Sequence, residues 1–214
     1  MSTGATPPHP SLAASDRSDF RTVLTGGTKV GVLTGVAVVL YLAVSRLPDG
    51  LARGLFQAAV VLAAGAGVSF LPARWTAARR TEGIAGAAAM GLWGTVVFMA
   101  IDIVLLRPFK AYPWTWDAVG GGSTWWYLPL WWMLGTFLAW MGAMVTAERA
   151  VRAEEGGGEE PGLGRVAVPV LMAAVALAAA AEVAGVHVAP PVAAGAGFTV
   201  SLVVFALAGL ARRP

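Results

Sequence analysis

The sequence has no cysteine, two histidines and few charges, with Asp, Glu, Lys and Arg making up 13% of its 214 residues. Absent cysteine excludes a disulfide, a thiolate metal site, an iron–sulfur cluster and thiol catalysis. His187 has no histidine partner within the apolar runs, which argues against a bis-histidine haem, and no cofactor is expected. The scarcity of charge excludes a soluble globule, because too little polar surface is left to coat one.

What is present is apolar. Hydrophobic residues make up 57% of the chain and the mean hydropathy is +0.69, so the chain belongs in a bilayer as a single compact membrane domain. The net charge of +3 does not point to nucleic acid, since Lys and Arg flank apolar runs and do not form a stripe with interleaved aromatics. Richness in Ala, Gly, Val and Arg suits a GC-rich bacterial genome and hence a bacterial plasma membrane.

The apolar runs predict an all-α polytopic protein, six transmembrane helices in one bundle. The spans fall at about 30–46, 51–71, 83–106, 128–147, 166–188 and 192–211. Residues 1–29, rich in Ser, Thr, Pro and Gly, read as a disordered tail. Residues 107–127 read as an aromatic loop, and 148–165, ERAVRAEEGGGEEPGLGR, as a mobile charged linker. Eleven of the fifteen Lys and Arg fall in the tail, the second and fourth connections and the C-terminus. By the positive-inside rule both termini are then cytoplasmic and the aromatic loop is outside.

Several short patterns bear on packing or chemistry. Gly31 with Gly35, Ala87 with Gly91, and Gly135 with Ala139 are small residues four apart, the spacing that lets helix backbones approach within one bundle. Gly26 to Lys29 has the composition of a phosphate loop without its residue order or its preceding strand. Asp49 to Arg53 resembles the Asp-Gly-x-x-Ala-Arg signature of CDP-alcohol phosphotransferases, but it is one residue short and the paired downstream aspartates are missing.

The densest chemistry lies between Arg107 and Trp132, which holds six of the nine tryptophans and two of the three tyrosines. Such residues form interfacial belts. A lid is the alternative, since Gly120 to Gly122 separates two aromatic halves, one with Trp114 and Trp116 and the other with Trp125, Trp126 and Tyr127. Asp102 and Glu182 are the only acids inside the predicted spans, roughly 6 and 9 Å from the loop-side helix ends by helix rise. Tyr41, Ser45, Gln57 and His187 fall in the same layer, which predicts a polar pocket opening outward beneath the loop.

The leading reading is a non-enzymatic membrane protein. It binds or transports a small or amphipathic molecule through that pocket, with Asp102, Glu182, Trp114, Trp116, Trp125, Trp126, Tyr127, Gln57 and Tyr41 as candidate contacts. Membrane lipids are the expected surroundings, and a small molecule or lipid the expected ligand. One alternative is an accessory or scaffold subunit docked on a membrane-protein partner through its aromatic loop. Another is an outer-leaflet enzyme using Asp102, Glu182 and His187 as acid–base groups or as a carboxylate–imidazole metal site.

Overall fold

A computed structural model describes residues 18–108, 127–156 and 162–211, and those residues form helices and short turns without strands. The helices are α1 (Phe20–Val44), α2 (Leu51–Trp75), α3 (Thr81–Ile101), α4 (Tyr127–Glu155), α5 (Leu163–Val183) and α6 (Pro190–Ala211). A π-helical turn, Asp102–Leu106, extends α3. All six helices are long and apolar enough to cross a membrane. Helices are the economical solution there, because each satisfies its own backbone groups where water cannot. The chain is therefore an all-α, multi-pass membrane bundle.

Helix α1 packs most extensively on α3, α3 on α4, and α5 on α6, while α2 touches every other helix. Small residues explain the closest approaches. A Cβ at Gly31 would stand 2.6 Å from the Gly94 carbonyl oxygen, and one at Gly91 would stand 2.5 Å from the Gly135 oxygen and 2.6 Å from the Ala139 Cβ. The predicted small-residue pairs thus serve contacts within the chain, α1 on α3 and α3 on α4. Gly142 sits equally close to the Ser69 carbonyl on α2, and Gly197 to the Ala174 carbonyl on α5. Between these seams lies a core of Phe70, Met141, Val145, Val170, Phe198 and Leu202.

Hydroxyls add little between helices. Thr34, Thr95, Thr136, Thr146 and Thr199 each donate to the carbonyl four residues back in their own helix. Among the described residues, hydroxyls accept across helices from Trp93 Nε1, to Thr28 Oγ1 at 3.2 Å, and from Gln57 Nε2, to Ser45 Oγ at 2.8 Å.

Three boundaries differ most from the sequence reading. Helix α1 begins at Phe20, ten residues before the predicted span, so 20–29 are not a disordered tail. Asp19 caps it, its carboxylate accepting from the Thr22 amide at 3.0 Å and the Thr22 hydroxyl at 2.6 Å, and Gly26 and Gly27 are buried against Met90 and Trp93. Helix α4 runs on to Glu155, taking the first half of the predicted linker. Ion pairs hold that extension: Glu148 pairs with Arg152 at i,i+4, and Arg79 of the α2–α3 turn reaches Glu154 at 2.9 Å. Arg149 donates to the carbonyls of Arg165 and Val166, tying α4 to the start of α5.

The third difference is at the end of α5, which stops at Val183, not 188. Gly185 has φ +80°; its amide bonds the Glu182 carbonyl and the Val186 amide bonds the Ala181 carbonyl, which closes the helix with a left-handed cap. Helix α2 ends in the same way at Ala77, whose φ of 49° is unusual for a residue with a Cβ.

Candidate functional site

The two in-span acids occupy different environments. Asp102 is 0% exposed at the start of the π turn, flanked along the helix by buried Phe98 and Leu106. Its Oδ2 accepts from Arg107 Nε at 2.9 Å, and its carbonyl accepts from the Arg107 amide at 2.9 Å. The i→i+5 backbone bond is what brings the Arg107 side chain around onto the carboxylate. The ion pair thereby fastens the first residue after the π turn to the end of α3.

Glu182 lies in the last turn of α5 with its side chain 63% exposed, and its Oε1 is 3.1 Å from His187 Nδ1. The left-handed cap at Gly185 folds the chain back to make that contact. Asp102 and Glu182 therefore have separate partners, and neither lines the cavity described next. Among the described residues, no three Asp, Glu or His side chains cluster as a metal site would require, so Asp102, Glu182 and His187 are not assembled as one. Trp114, Trp116, Trp125 and Trp126 lie outside the described residues. Tyr127 opens α4.

A cavity of about 380 Å³ lies among α1, α2, α4 and α6 in the half of the bundle nearer the α3–α4 connection. Tyr41, Ala64, Trp131, Leu138, Phe198 and Thr199 are on its wall. Its size is at the small end of the ~300–1,000 Å³ common for small-molecule sites. A second space of about 290 Å³ is lined by α1 and α2 alone and shares Thr34, Ala37, Ala64 and Val68 with the first. Small side chains on facing helices leave this room: Ala37 on one side, and Ala63, Ala64, Gly65 and Gly67 on the other.

The cavity is apolar rather than polar. The Thr34 and Thr199 hydroxyls on its wall are spent on Val30 and Gly195 carbonyls. Only at Tyr41 does the wall approach polar side chains, for Ser45 Oγ donates to the Tyr41 carbonyl at 2.7 Å and accepts from Gln57. Trp131 was not among the predicted contacts; its ring stands 5.7 Å from that of Phe98, so it closes the cavity toward α3. Its place four residues into α4 was the available signal.

Comparison with other proteins adds no assignment: no family model, curated protein or solved structure matches this chain.

Proposed function

We propose that this is a non-enzymatic protein of the bacterial plasma membrane, both ends cytoplasmic, which holds the apolar part of an amphipathic lipid-like molecule among α1, α2, α4 and α6. The cavity of about 380 Å³ carries the reading, since its wall offers shape and dispersion and almost no free hydrogen-bonding group. The neighbouring space lined by α1 and α2 alone supports entry from the side, the direction from which a lipid chain of the bilayer would come. The eleven-to-four division of basic residues supports the orientation. Against the enzymatic alternative stands the separation of Asp102 from Glu182 and His187, and the exposed Glu182–His187 pair does not line the cavity.

Native mass spectrometry of the protein released from mild detergent tests this reading. Wild type should retain a lipid-sized adduct, and Ala64→Phe, which fills the cavity, should lose it. Val175→Phe, on an exposed face of α5, should keep it. Equal retention in all three would show that the adduct is surface lipid. A stoichiometric protein partner in place of a lipid would favour the accessory-subunit alternative.

A further inference from the structure

Resting on the reading that the cavity holds an apolar chain, the structure also suggests what the polar end of that molecule must be. Among the described residues, the polar side chains at the Tyr41 end of the cavity are uncharged. The Tyr41 hydroxyl is half-buried and makes no hydrogen bond among the described residues. Ser45 Oγ, one turn on, bridges the Tyr41 carbonyl at 2.7 Å to Gln57 Nε2 at 2.8 Å, so one amide hydrogen holds the Gln57 side chain in place. Its other amide hydrogen and its carbonyl oxygen stay available, one donor and one acceptor.

Among the described residues, the charged groups of this end are paired or exposed. Arg53 is held by Asp49 in the α1–α2 turn, Asp102 by Arg107, and Glu182 by His187, while Arg46 is exposed beyond the end of α1. A phosphate at Tyr41 and Gln57 would meet only neutral dipoles at the edge of an apolar cavity, where a charge is costly. A hydroxyl or an ester carbonyl would be matched group for group.

We propose that Tyr41, Ser45 and Gln57 form the headgroup seat of an uncharged amphiphile, a single apolar chain ending in hydroxyl or ester groups, and that the seat discriminates against phosphate. The probes are monooleoylglycerol and its phosphate ester, lysophosphatidic acid with the same chain, titrated against the full-length protein in micelles of fixed detergent concentration. Binding is read by native mass spectrometry.

Wild type should bind the uncharged probe about tenfold more tightly, roughly the effect of one or two matched neutral hydrogen bonds. Gln57→Leu should remove most of that preference. Tyr41→Phe, which deletes only a hydroxyl, should reduce it severalfold and provides the test if Gln57→Leu does not fold. Preference for the phosphate ester would overturn the seat and point to Arg46; unchanged discrimination in both variants would overturn the seat as well. If Ala64→Phe bound both probes as wild type does, the cavity reading itself would fall; if it lost both while the seat variants bound normally, only the seat would.

Discussion

The two sides of α1 use small residues to opposite ends. Toward α3, Gly27 and Gly31 meet backbone: a Cβ would lie 2.9 Å from the Met90 carbonyl oxygen at the first and 2.6 Å from that of Gly94 at the second. Toward α2, Thr34 and Ala37 face Ala64 and Val68 across empty space. Small side chains close a gap only where the partner offers backbone at the same height; where side chains as short as alanine face one another at wider separation, they leave a cavity. Even the packed side loosens along its length, for at Gly35 the first neighbour of a Cβ is Ile101 Cγ2 at 3.4 Å, an ordinary contact.

Substitutions that add one methyl should separate these environments, measured as thermal unfolding in a single detergent. Gly31→Ala should destabilise by about 2 kcal/mol, because backbone cannot yield as a side-chain tip can. Gly35→Ala should do the reverse, gaining up to about 1 kcal/mol from helix propensity. If both moved in the same direction, the gradient along α1 would be wrong.

At the far end of α3, the test is which half of an ion pair is removed. Arg107→Met takes the guanidinium from a carboxylate with no exposure and should cost about 2 kcal/mol. That is below the range for fully buried pairs because Arg107 is a third exposed. Asp102→Asn leaves a cation that water can reach and should cost less. An equal loss in both would mean that Arg107 is as buried as its partner.

On the open side, Ala64→Leu should raise stability by about 1 kcal/mol by filling space, while abolishing lipid retention. A fall in stability would show that the two helices already touch there.

The smallest effect belongs to the start of α1. Hydrogen bonds from the Thr22 hydroxyl and then its amide hold the Asp19 carboxyl below its usual range. A folded value below the unfolded one means that the cap contributes fully above the unfolded pKa and is lost as pH falls through the folded one. Protection of the Thr22 amide from hydrogen exchange, taken relative to its intrinsic rate at each pH, should therefore fall in strong acid in wild type and be already low at neutral pH in Asp19→Ala. Exchange that ignored both changes would show that the first turn is held by packing on α3.

The number and order of helices were legible in the sequence because hydrocarbon permits little else to long apolar runs. Gly31, Gly91 and Gly135 were also legible as packing positions, since four-residue spacing is the geometry of close approach. Phe20 to Lys29 was misread because hydropathy marks where a helix meets the membrane, not where it starts; Asp19 with Thr22 was the sign of a cap. Glu148 to Glu155 was misread for the same reason, its i,i+4 charges marking a helix that continues past the apolar layer. Gly185 marked the end of α5, and reading it as a cap would have moved Glu182 from inside the outer layer of the span to the last turn. The apolar cavity was not legible, because it depends on which alanines of α1 and α2 face each other and at what distance.

The threonines that donate to their own helices have a wider consequence. With Thr34, Thr95, Thr136, Thr146 and Thr199 occupied in this way, the helices within the apolar layer are joined mainly by contour, with few directional bonds to set a preferred register. Among the described residues, such a bundle has no ionic latch at its centre for salt or pH to release. Its cohesion rests on seams that hold only while the fit is close.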